Sequence, residues 1–289
     1  MSYFEIIKSM RPHQWIKNLF IFAALIFSKN MFNPNMFLKT ISAFLVFCLL
    51  SGSLYILNDI IDLEEDKVHP IKSKRPIPSG RLKKPQAFLF FIVVSVLALA
   101  LALILNKIFF IVSLIYFFLQ IGYSLFFKHA VILDVFIIAA NFLIRVVAGG
   151  VIIEVYISPW LLICTMLLSL FLAMSKRRHE LIFLGGNAVN HRATLAKYSP
   201  YLLDQMISVV TSSTVIVYCL YTISVETVAK VGTINLIYTV PFVLYGILRY
   251  LYLVHQKSEG GSPENLIIKD KALLLDIVLW GISVILIIY

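Results

Sequence analysis

Long runs of apolar residues, separated by short polar connections, constrain the fold of this chain more than any other feature. Of its 289 residues, 60% are hydrophobic and 14% are charged, and the mean hydropathy is +0.92. Soluble domains average about 45–50% apolar and about 25% charged residues. Because a helix needs about 20 apolar residues to cross a bilayer, the composition indicates an integral membrane protein.

The apolar runs predict an all-α membrane protein with about nine membrane-spanning helices. Lipid cannot satisfy the backbone groups of an open sheet, and no run alternates as a barrel strand does. The first run is short, and we expect it to be tilted or partly interfacial. The three cysteines lie within the runs and are predicted to be packing residues. The predicted segments are residues 14–29, 36–58, 86–106, 108–127, 130–153, 157–174, 203–225, 231–254 and 270–289.

The distribution of lysine and arginine predicts the orientation of the chain. With the N-terminus in the cytoplasm, most of the 25 basic residues fall in cytoplasmic connections, as the positive-inside rule requires. Two of these connections, about residues 59–85 and 175–202, are long and charged, which is typical of functional or disordered loops. In the first, the helical spacing of the acids and the two prolines of RPIPSG favour a functional loop. We therefore predict one integral-membrane domain over residues 1–289, in the plasma or inner membrane, with a cytoplasmic site. The opposite side would retain Lys29, Lys39, Lys107 and Lys230.

Acidic residues at the end of the second apolar run predict a metal site. Asp59, Asp62 and Asp66 are spaced i, i+3, i+7, which places them on one face of a helix, and Asn58 joins that face. Such hard oxygen ligands suit Mg²⁺, which prefers one or two carboxylates plus substrate phosphates. The alternative is a solvated helix end balanced by the lysines that follow.

The basic residues after this acidic run favour the metal site over the solvated end. His69, Lys72, Lys74 and Arg75 supply cations that suit phosphate oxygens. Carboxylates for a metal followed by bases for phosphates is the arrangement that a magnesium-bound diphosphate requires. A solvated face gives no reason for this separation of charge.

The segment NDIIDLEEDKVHPIKSKRPIPSG, residues 58–80, resembles the first aspartate-rich motif of the UbiA family of intramembrane prenyltransferases. The resemblance implies a UbiA-like bundle of nine transmembrane helices with a polar site facing the cytoplasm. Further likenesses, over nearly the whole chain, are to the branch of that family that transfers phosphoribose to a polyprenyl phosphate. They are RPHQWIKN (11–18), HPIK (69–72), YSLFFK (123–128) with LDV (133–135), SKRRHEL (175–181), YLLDQMISVVTSST (201–214) and PENLIIKDKALLLDIVLWG (263–281).

One loop departs from ordinary prenyltransferases, which have a second aspartate-rich motif there for another metal. This sequence has SKRRHE at residues 175–180, with Glu180 as its single acid. A basic cluster that includes Lys176 and Arg177, opposite the carboxylates, fits direct pairing to a phosphorylated donor better than a second metal. By this analogy the resemblance favours phosphoribosyl diphosphate as the donor.

Polar residues within the fifth apolar run predict a wall of the polar cavity. Asp134, Asn141 and Arg145 are spaced i, i+7, i+11 and share one helix face. A charge at mid-membrane costs at least about 2.5–3.5 kcal/mol and normally faces the bundle interior. Arg145 could contact a phosphate or hold a ligating carboxylate, and Asp134 could bind ribose hydroxyls. A structural polar seam is the alternative. Gly149 and Gly150 are predicted to permit close helix packing.

Polar residues beside two other runs become substrate-binding candidates through the resemblance. Lys17 and Asn18 lie near the start of the first run, where interfacial anchoring is the alternative. Tyr123 and Lys128 close the fourth run, and tyrosine is common at membrane interfaces. The lipid acceptor would leave its phosphate near Lys17 or Lys128.

These features predict Mg²⁺-dependent transfer of 5-phosphoribose from phosphoribosyl diphosphate to a polyprenyl (decaprenyl-type) phosphate, in the synthesis of a cell-envelope glycan precursor. Asp59, Asp62 and Asp66 are the predicted catalytic residues and, with Asn58, the metal ligands. No general base is needed, because the acceptor is already an anion. No nucleic acid is expected as a partner. The predicted substrate ligands are Lys17, Asn18, His69, Lys72, Arg75, Tyr123, Lys128, Asp134, Arg145, Lys176, Arg177 and Glu180.

Two other functions are compatible with parts of the sequence. An ordinary prenyltransferase would move an isoprenoid from its diphosphate to an aromatic or other small acceptor, and it would require a second acidic metal motif. A transporter is opposed by the lack of an obvious repeated half and of matching Gly/Pro-broken helices.

Overall fold

The computed structural model describes residues 3–184, 195–257, 261 and 263–289, and these residues form helices without any strand. The described chain falls into two compact units, the first extending to Tyr156 and the second beginning at Ile157. By length and composition, eight helices in the described ranges are suited to cross a membrane. The predicted all-α membrane protein is therefore confirmed.

The first unit contains seven α-helices and three short 3₁₀ helices within its described residues. The 3₁₀ helices are Pro12–Ile21, Lys72–Lys74 and Phe127–His129. The α-helices are α1 (Tyr3–Ser9), α2 (Phe22–Phe27), α3 (Pro34–Ile61), α4 (Leu63–Val68), α5 (Lys84–Leu105), α6 (Lys107–Leu125) and α7 (Leu133–Ile152).

Side-chain caps explain where the long helices of this unit begin. The Asn33 side chain accepts hydrogen bonds from two backbone N–H groups in the first turn of α3, and Pro34 occupies its first position. Asn106 ends α5 and caps α6, accepting from Ile108 N at 2.8 Å and from Phe109 N at 3.0 Å. A single residue therefore separates two helices that each have spanning length.

The first predicted span differs from a regular membrane-crossing helix. Residues 14–29 are divided between the 3₁₀ helix Pro12–Ile21 and the six-residue α2. This segment packs against α7 so closely that a Cβ added to Gly149 would lie 2.0 Å from the carbonyl oxygen of Ile21. The close packing predicted for Gly149 is confirmed.

Among the helices of the first unit that are long enough to span a membrane, α3 is the most enclosed. In its 18-residue apolar stretch, 61% of the residues are buried, compared with 22% in the corresponding stretch of α5. Phe47 on α3 is fully buried and packs against Tyr116, with 5.1 Å between the ring centroids, and against Phe109, at 5.9 Å. Lipid tails are as apolar as these side chains, so the hydrophobic effect does not drive helices together within a membrane. Close packing contacts such as these stabilise the helix assembly instead.

The second unit contains six α-helices and two 3₁₀ helices within its described residues. α8 packs against α9, and α11 packs against α13. The 3₁₀ helices are Leu195–Lys197 and Asn235–Thr239. The α-helices are α8 (Pro159–Leu184), α9 (Pro200–Ile223), α10 (Val225–Val231), α11 (Val240–Gln256), α12 (Pro263–Lys269) and α13 (Lys271–Ile288).

The predicted loop at residues 175–202 begins later than expected, because α8 continues to Leu184. One stabilising contact in this extension is an i, i+3 pair in which Arg177 donates to Glu180 at 2.7 Å. Residues 185–194 lie outside the described residues.

Candidate active site

The acidic residues that end α3 and begin α4 lie at the centre of a charged site in the first unit. α3 ends at Ile61, and Asp62 separates it from α4 with φ −86° and ψ 14°. Asp59 and Asp66 are buried, with 0% and 1% of their surface exposed, whereas Asp62 is partly exposed. The helix that carries the three aspartates is therefore interrupted at Asp62, whose carboxylate has partners different from those of Asp59 and Asp66.

One guanidinium joins Asp59 to Asp66. Arg75 Nη1 donates to Asp59 Oδ1 at 3.1 Å and to Asp66 Oδ2 at 2.8 Å. Arg11 Nη2 donates to the same Oδ1 of Asp59, and Lys72 Nζ lies 3.3 Å from Asp66 Oδ1. Burial lowers the pKa of Arg75, and the neighbouring charge of Arg11 lowers it further. Two arginines are thus crowded around one carboxylate oxygen.

Asp62 belongs to a second set of contacts. Lys128, in the 3₁₀ helix that follows α6, forms an ion pair with Asp62 Oδ1. Asn58 Nδ2 donates to Asp62 Oδ2 at 3.0 Å, and Ser124 Oγ donates to Asn58 Oδ1 at 3.1 Å. The structure therefore brings Lys128, a predicted substrate ligand, to the predicted metal site.

These residues make up a site with more positive than negative charge. We call Asp59, Asp62 and Asp66 with their basic partners Arg11, Lys72, Arg75 and Lys128 the charged cluster. Four basic side chains contact three carboxylates, so the cluster has one positive charge in excess. A partly enclosed site with this balance favours an anionic ligand.

Two carboxylate oxygens of the charged cluster fit a divalent metal. Asp59 Oδ2 and Asp66 Oδ1 are buried and accept no hydrogen bond from the described part of the chain, and Lys72 Nζ lies 3.3 Å from Asp66 Oδ1 as an ion-pair partner. The described residues hold no group of three or more His, Cys, Asp or Glu side chains that could bind a metal by themselves. A metal here would need further oxygens from a ligand, which matches the preference of Mg²⁺ for one or two carboxylates plus substrate phosphates.

Arg145 and Asn18 meet in a buried polar network. Arg145 is 3% exposed. Its Nε donates to Asn18 Oδ1 at 2.8 Å, its Nη2 to Tyr116 Oη at 2.9 Å, and its Nη1 to the carbonyl of Asn141 at 2.7 Å. The guanidinium carbon also lies 4.9 Å from the centroid of the Tyr116 ring. These contacts are those of a structural polar seam, and a role in phosphate binding stays a prediction for both residues.

Four other predicted substrate ligands of the first unit are not members of the charged cluster. Asp134 is fully buried at the start of α7, and Tyr123 lies on α6 beside Ser124. Lys17 Nζ donates to the side chain of Gln14 at 2.5 Å. The ring nitrogen Nδ1 of His69 accepts from the N–H groups of Ile71 and Lys72, at 3.1 and 3.3 Å. His69 thus shapes the turn that presents Lys72.

The remaining predicted ligands lie on α8 in the second unit. Lys176 is partly buried, and Arg177 is 2% exposed and donates to Glu180. The neighbouring Arg178 donates to Asp204 on α9, at 2.5 Å from Nε. The single acid of this segment is therefore held by an arginine of the same helix.

Two members of the site were absent from the predicted residues. Arg11 lies 48 positions before Asp59, and Ser124 lies 66 positions after Asn58. Arg11 was visible in the sequence as the first residue of RPHQWIKN, where interfacial anchoring explained a basic side chain equally well. Ser124 was likewise part of YSLFFK (123–128), in which only Tyr123 and Lys128 were predicted to bind substrate.

Comparison with known proteins places this geometry in a family. The profile of the UbiA prenyltransferase family matches residues 18–267. The chain is 30% identical over 288 residues to a protein of Corynebacterium glutamicum named decaprenyl-phosphate phosphoribosyltransferase, covering 98% of this chain and 86% of that one. It is 31% identical over 286 residues to the protein of the same name from Mycolicibacterium smegmatis, covering 95% and 89%.

A solved structure shows the same fold. A UbiA homologue from Archaeoglobus fulgidus, bound to GPP and Mg²⁺, superposes with a TM-score of 0.74 at 18% identity, covering 98% of this chain and 99% of that one. The likeness extends over nearly all of both chains. Together with the family match and the apolar helices, it identifies the chain as a multi-pass membrane transferase that belongs to the UbiA prenyltransferase family.

Proposed function

We propose that the protein transfers 5-phosphoribose from phosphoribosyl diphosphate to a polyprenyl phosphate. The observation that carries the proposal is the charge of the cluster, in which four bases surround three carboxylates. An excess positive charge suits a donor with many phosphate oxygens. The relatives named decaprenyl-phosphate phosphoribosyltransferase, about as long as this chain, support this donor and acceptor.

The single acid among residues 175–180 supports the ribosyl donor over an isoprenoid one. The segment at residues 175–180 has Glu180 as its single acid, and Arg177 already holds that carboxylate at 2.7 Å. A second metal would need acidic ligands that these six residues do not supply. Lys176 and Arg177 remain candidates for binding donor phosphates.

In the proposed reaction, the bond from C1 of the ribose to the diphosphate oxygen breaks, and the diphosphate leaves with the electron pair. A phosphate oxygen of the lipid forms the new bond to C1. Lys72 and Arg75 bind the leaving diphosphate and stabilise its growing charge. The buried carboxylates of Asp59 and Asp66 stabilise positive charge near C1, as carboxylates do in other glycosyl transfers. No side chain has to remove a proton.

Mg²⁺, when bound, would neutralise charge on the diphosphate as it leaves. Asp59 and Asp66 would hold it, since each has one buried oxygen that accepts no hydrogen bond from described residues, and Lys72 would have to give up its ion pair with Asp66. Asn58 and Asp62 stay predicted ligands, although each already has a hydrogen-bond partner.

We further propose that the charged cluster faces the cytoplasm, where phosphoribosyl diphosphate is made, and that the membrane is the plasma or inner membrane. The excess of lysine and arginine in one set of connections supports this orientation. The product would then serve as a precursor for a cell-envelope glycan.

A transfer assay with two donors tests the proposal. Purified protein in detergent receives Mg²⁺ and a polyprenyl phosphate, with labelled phosphoribosyl diphosphate in one reaction. A parallel reaction receives a labelled isoprenoid diphosphate with an aromatic acceptor. We expect label from the ribosyl donor to enter a lipid-extractable product, and EDTA to abolish this transfer. Label entering product only from the isoprenoid donor would overturn the proposed donor while leaving the family assignment intact.

A further inference from the structure

The arrangement around Asp59 is unbalanced in a way that the proposed reaction alone does not explain. Arg11 and Arg75 both donate to Oδ1, while Oδ2 of the same buried carboxylate accepts no hydrogen bond within the described chain. Two guanidiniums offer more donors than one oxygen can accept, and they repel each other. An anion with several oxygens would relieve this crowding, and a cation could take the available carboxylate oxygen.

The backbone of Arg11 holds its side chain towards Asp59. Arg11 has φ 52° and ψ 65°, a left-handed conformation that residues other than glycine seldom adopt. Its guanidinium carbon lies 4.9 Å from the centroid of the Tyr55 ring. Trp15 Nε1 donates to the carbonyl of Met10 at 3.2 Å, and a Cβ on Gly52 would lie 2.7 Å from Met10 Cε. The turn is therefore closed by the hydrogen bond between Trp15 and Met10 and is packed against α3 through Met10.

A second contact ties the N-terminal helix to the loop that carries the other bases. Arg81 Nη1 donates to Glu5 Oε1 on α1 at 3.3 Å, and Arg81 Nη2 donates to the carbonyl of Lys74 at 2.5 Å. Lys74 directly precedes Arg75. The segment that supplies Arg11 and the loop that supplies Arg75 are thus connected to each other as well as to Asp59.

We propose that Arg11 is an exchangeable counter-ion, which holds Asp59 in the absence of ligands and moves to diphosphate oxygens when a metal and a diphosphate bind together. The metal alone meets a cluster with excess positive charge and a carboxylate already paired with two arginines, so it binds weakly. The diphosphate reverses the charge balance and gives both guanidiniums new acceptors. Metal and diphosphate therefore bind cooperatively, each raising the affinity of the other by the same factor. This inference rests on the proposed function for its diphosphate.

Binding of Mg²⁺ and of inorganic diphosphate, measured separately and together, tests the exchange. The full chain in detergent is titrated by calorimetry at fixed pH, and thermal unfolding reports binding independently, since ligands of the folded state raise the transition temperature. For the wild type we expect Mg²⁺ to bind more tightly with diphosphate present. In Arg11→Ala we expect Mg²⁺ alone to bind at least about tenfold more tightly than in wild type. This factor corresponds to one charge-assisted hydrogen bond to Asp59 that the metal no longer has to displace. The cooperativity should fall by a similar factor.

Two further variants make the result specific to Arg11. Arg11→Lys keeps the charge but lacks the guanidinium fork, and it should lie between wild type and Arg11→Ala. It also serves if Arg11→Ala does not fold. Lys67→Ala removes one positive charge from α4, where Lys67 pairs with the exposed Glu64. Its Mg²⁺ affinity and cooperativity should stay within about twofold of wild type, because exposed pairs contribute little.

Undiminished cooperativity in both Arg11 variants, with Mg²⁺ affinity equal to or below that of wild type, would overturn the exchange. The same holds if Lys67→Ala tightens Mg²⁺ binding as much as Arg11→Ala does, since overall charge would then suffice. Inorganic diphosphate is the leaving group of ribosyl and isoprenoid donors alike. If ribosyl transfer fails while the cooperativity still depends on Arg11, only the proposed donor is rejected. If ribosyl transfer occurs while the cooperativity does not depend on Arg11, only the exchange is rejected.

Discussion

Asn18 accepts a hydrogen bond of 2.8 Å from Arg145, although 127 positions separate the two residues. The Asn18 amide also donates to Ser51 Oγ at 3.2 Å and to Cys48 Sγ at 3.4 Å. One buried side chain thus connects the 3₁₀ helix Pro12–Ile21 with both α3 and α7. The contact satisfies a guanidinium that is almost completely enclosed.

Replacing Asn18 by alanine should destabilise the protein by about 1–3 kcal/mol, because the buried Nε–H of Arg145 loses its acceptor. Thermal unfolding in detergent, followed by tryptophan fluorescence, measures the change. Asn235→Ala provides the control, since Asn235 is exposed. Equal unfolding temperatures for the two variants would show that the Asn18 contact is not stabilising.

Gly149→Ala should be strongly destabilising, by about 1–3 kcal/mol or more, because the new methyl group would collide with the backbone of Ile21. Gly281 on α13 is a matched helical glycine, and a Cβ added there meets nothing within 4 Å. Gly281→Ala should leave stability unchanged or raise it by roughly 0.5–1 kcal/mol. The unfolding temperatures of the two variants are compared in the same detergent. Equal temperatures for Gly149→Ala and Gly281→Ala would contradict the close packing at Gly149.

Asp66→Asn should lower the rate of ribosyl transfer by at least about tenfold, since the amide cannot replace a charged acceptor for Arg75 and Lys72. Glu65→Gln removes an adjacent carboxylate that is exposed, and its rate should match the wild type. The labelled-donor assay gives both rates. Full activity in Asp66→Asn would remove this carboxylate from the proposed mechanism.

The pair between Arg249 and Asp270 predicts a pH-dependent stability. Arg249 donates to Asp270 Oδ2 at 2.7 Å, and this hydrogen bond holds the pKa of Asp270 below its usual value. The contribution of this ion pair to the free energy of unfolding is therefore present above the unfolded-state pKa of Asp270, about 3.9. It is lost as the pH falls through the lower pKa of the folded state.

Arg249→Met should accordingly lower the unfolding temperature at pH 7, and its difference from wild type should shrink as the pH falls below about 4. Lys257→Met, an exposed change at the end of the same helix, controls for loss of a positive charge. A difference between Arg249→Met and wild type that persists undiminished at low pH would count against the ion pair as its source.

The sequence predicted most spans well because their signal is local. Apolar length and helix caps such as Asn33 and Asn106 are properties of contiguous residues, and four predicted segments agree with α3, α5, α6 and α7 within a few positions. The extension of α8 was missed because charged residues such as Arg177 look like a loop when hydropathy alone sets the boundary. The irregular backbone of residues 14–29 lies against Gly149 of α7, a contact between distant segments that hydropathy does not report.

The candidate site was predictable to the extent that its residues are neighbours in sequence. Asp59, Asp62, Asp66, Lys72 and Arg75 lie within 17 positions, and the structure pairs bases with acids among them. Periodicity placed the aspartates on one helix face, and Arg75 contacts both Asp59 and Asp66, whereas Asp62 stands between two helices and has other partners. The pairing of Arg11 with Asp59 joins distant segments, and no local pattern specifies which acid a distant arginine will contact.

The connectivity of the charged cluster has a consequence for biosynthesis. Every member lies between Arg11 and Lys128, within the first unit. Once the segment through Lys128 has left the ribosome, all the side chains that neutralise Asp59, Asp62 and Asp66 are available. The nascent chain can therefore compensate its acidic groups beside the membrane while the second unit is still being synthesised, so no carboxylate of the cluster has to wait for a partner from the C-terminal half.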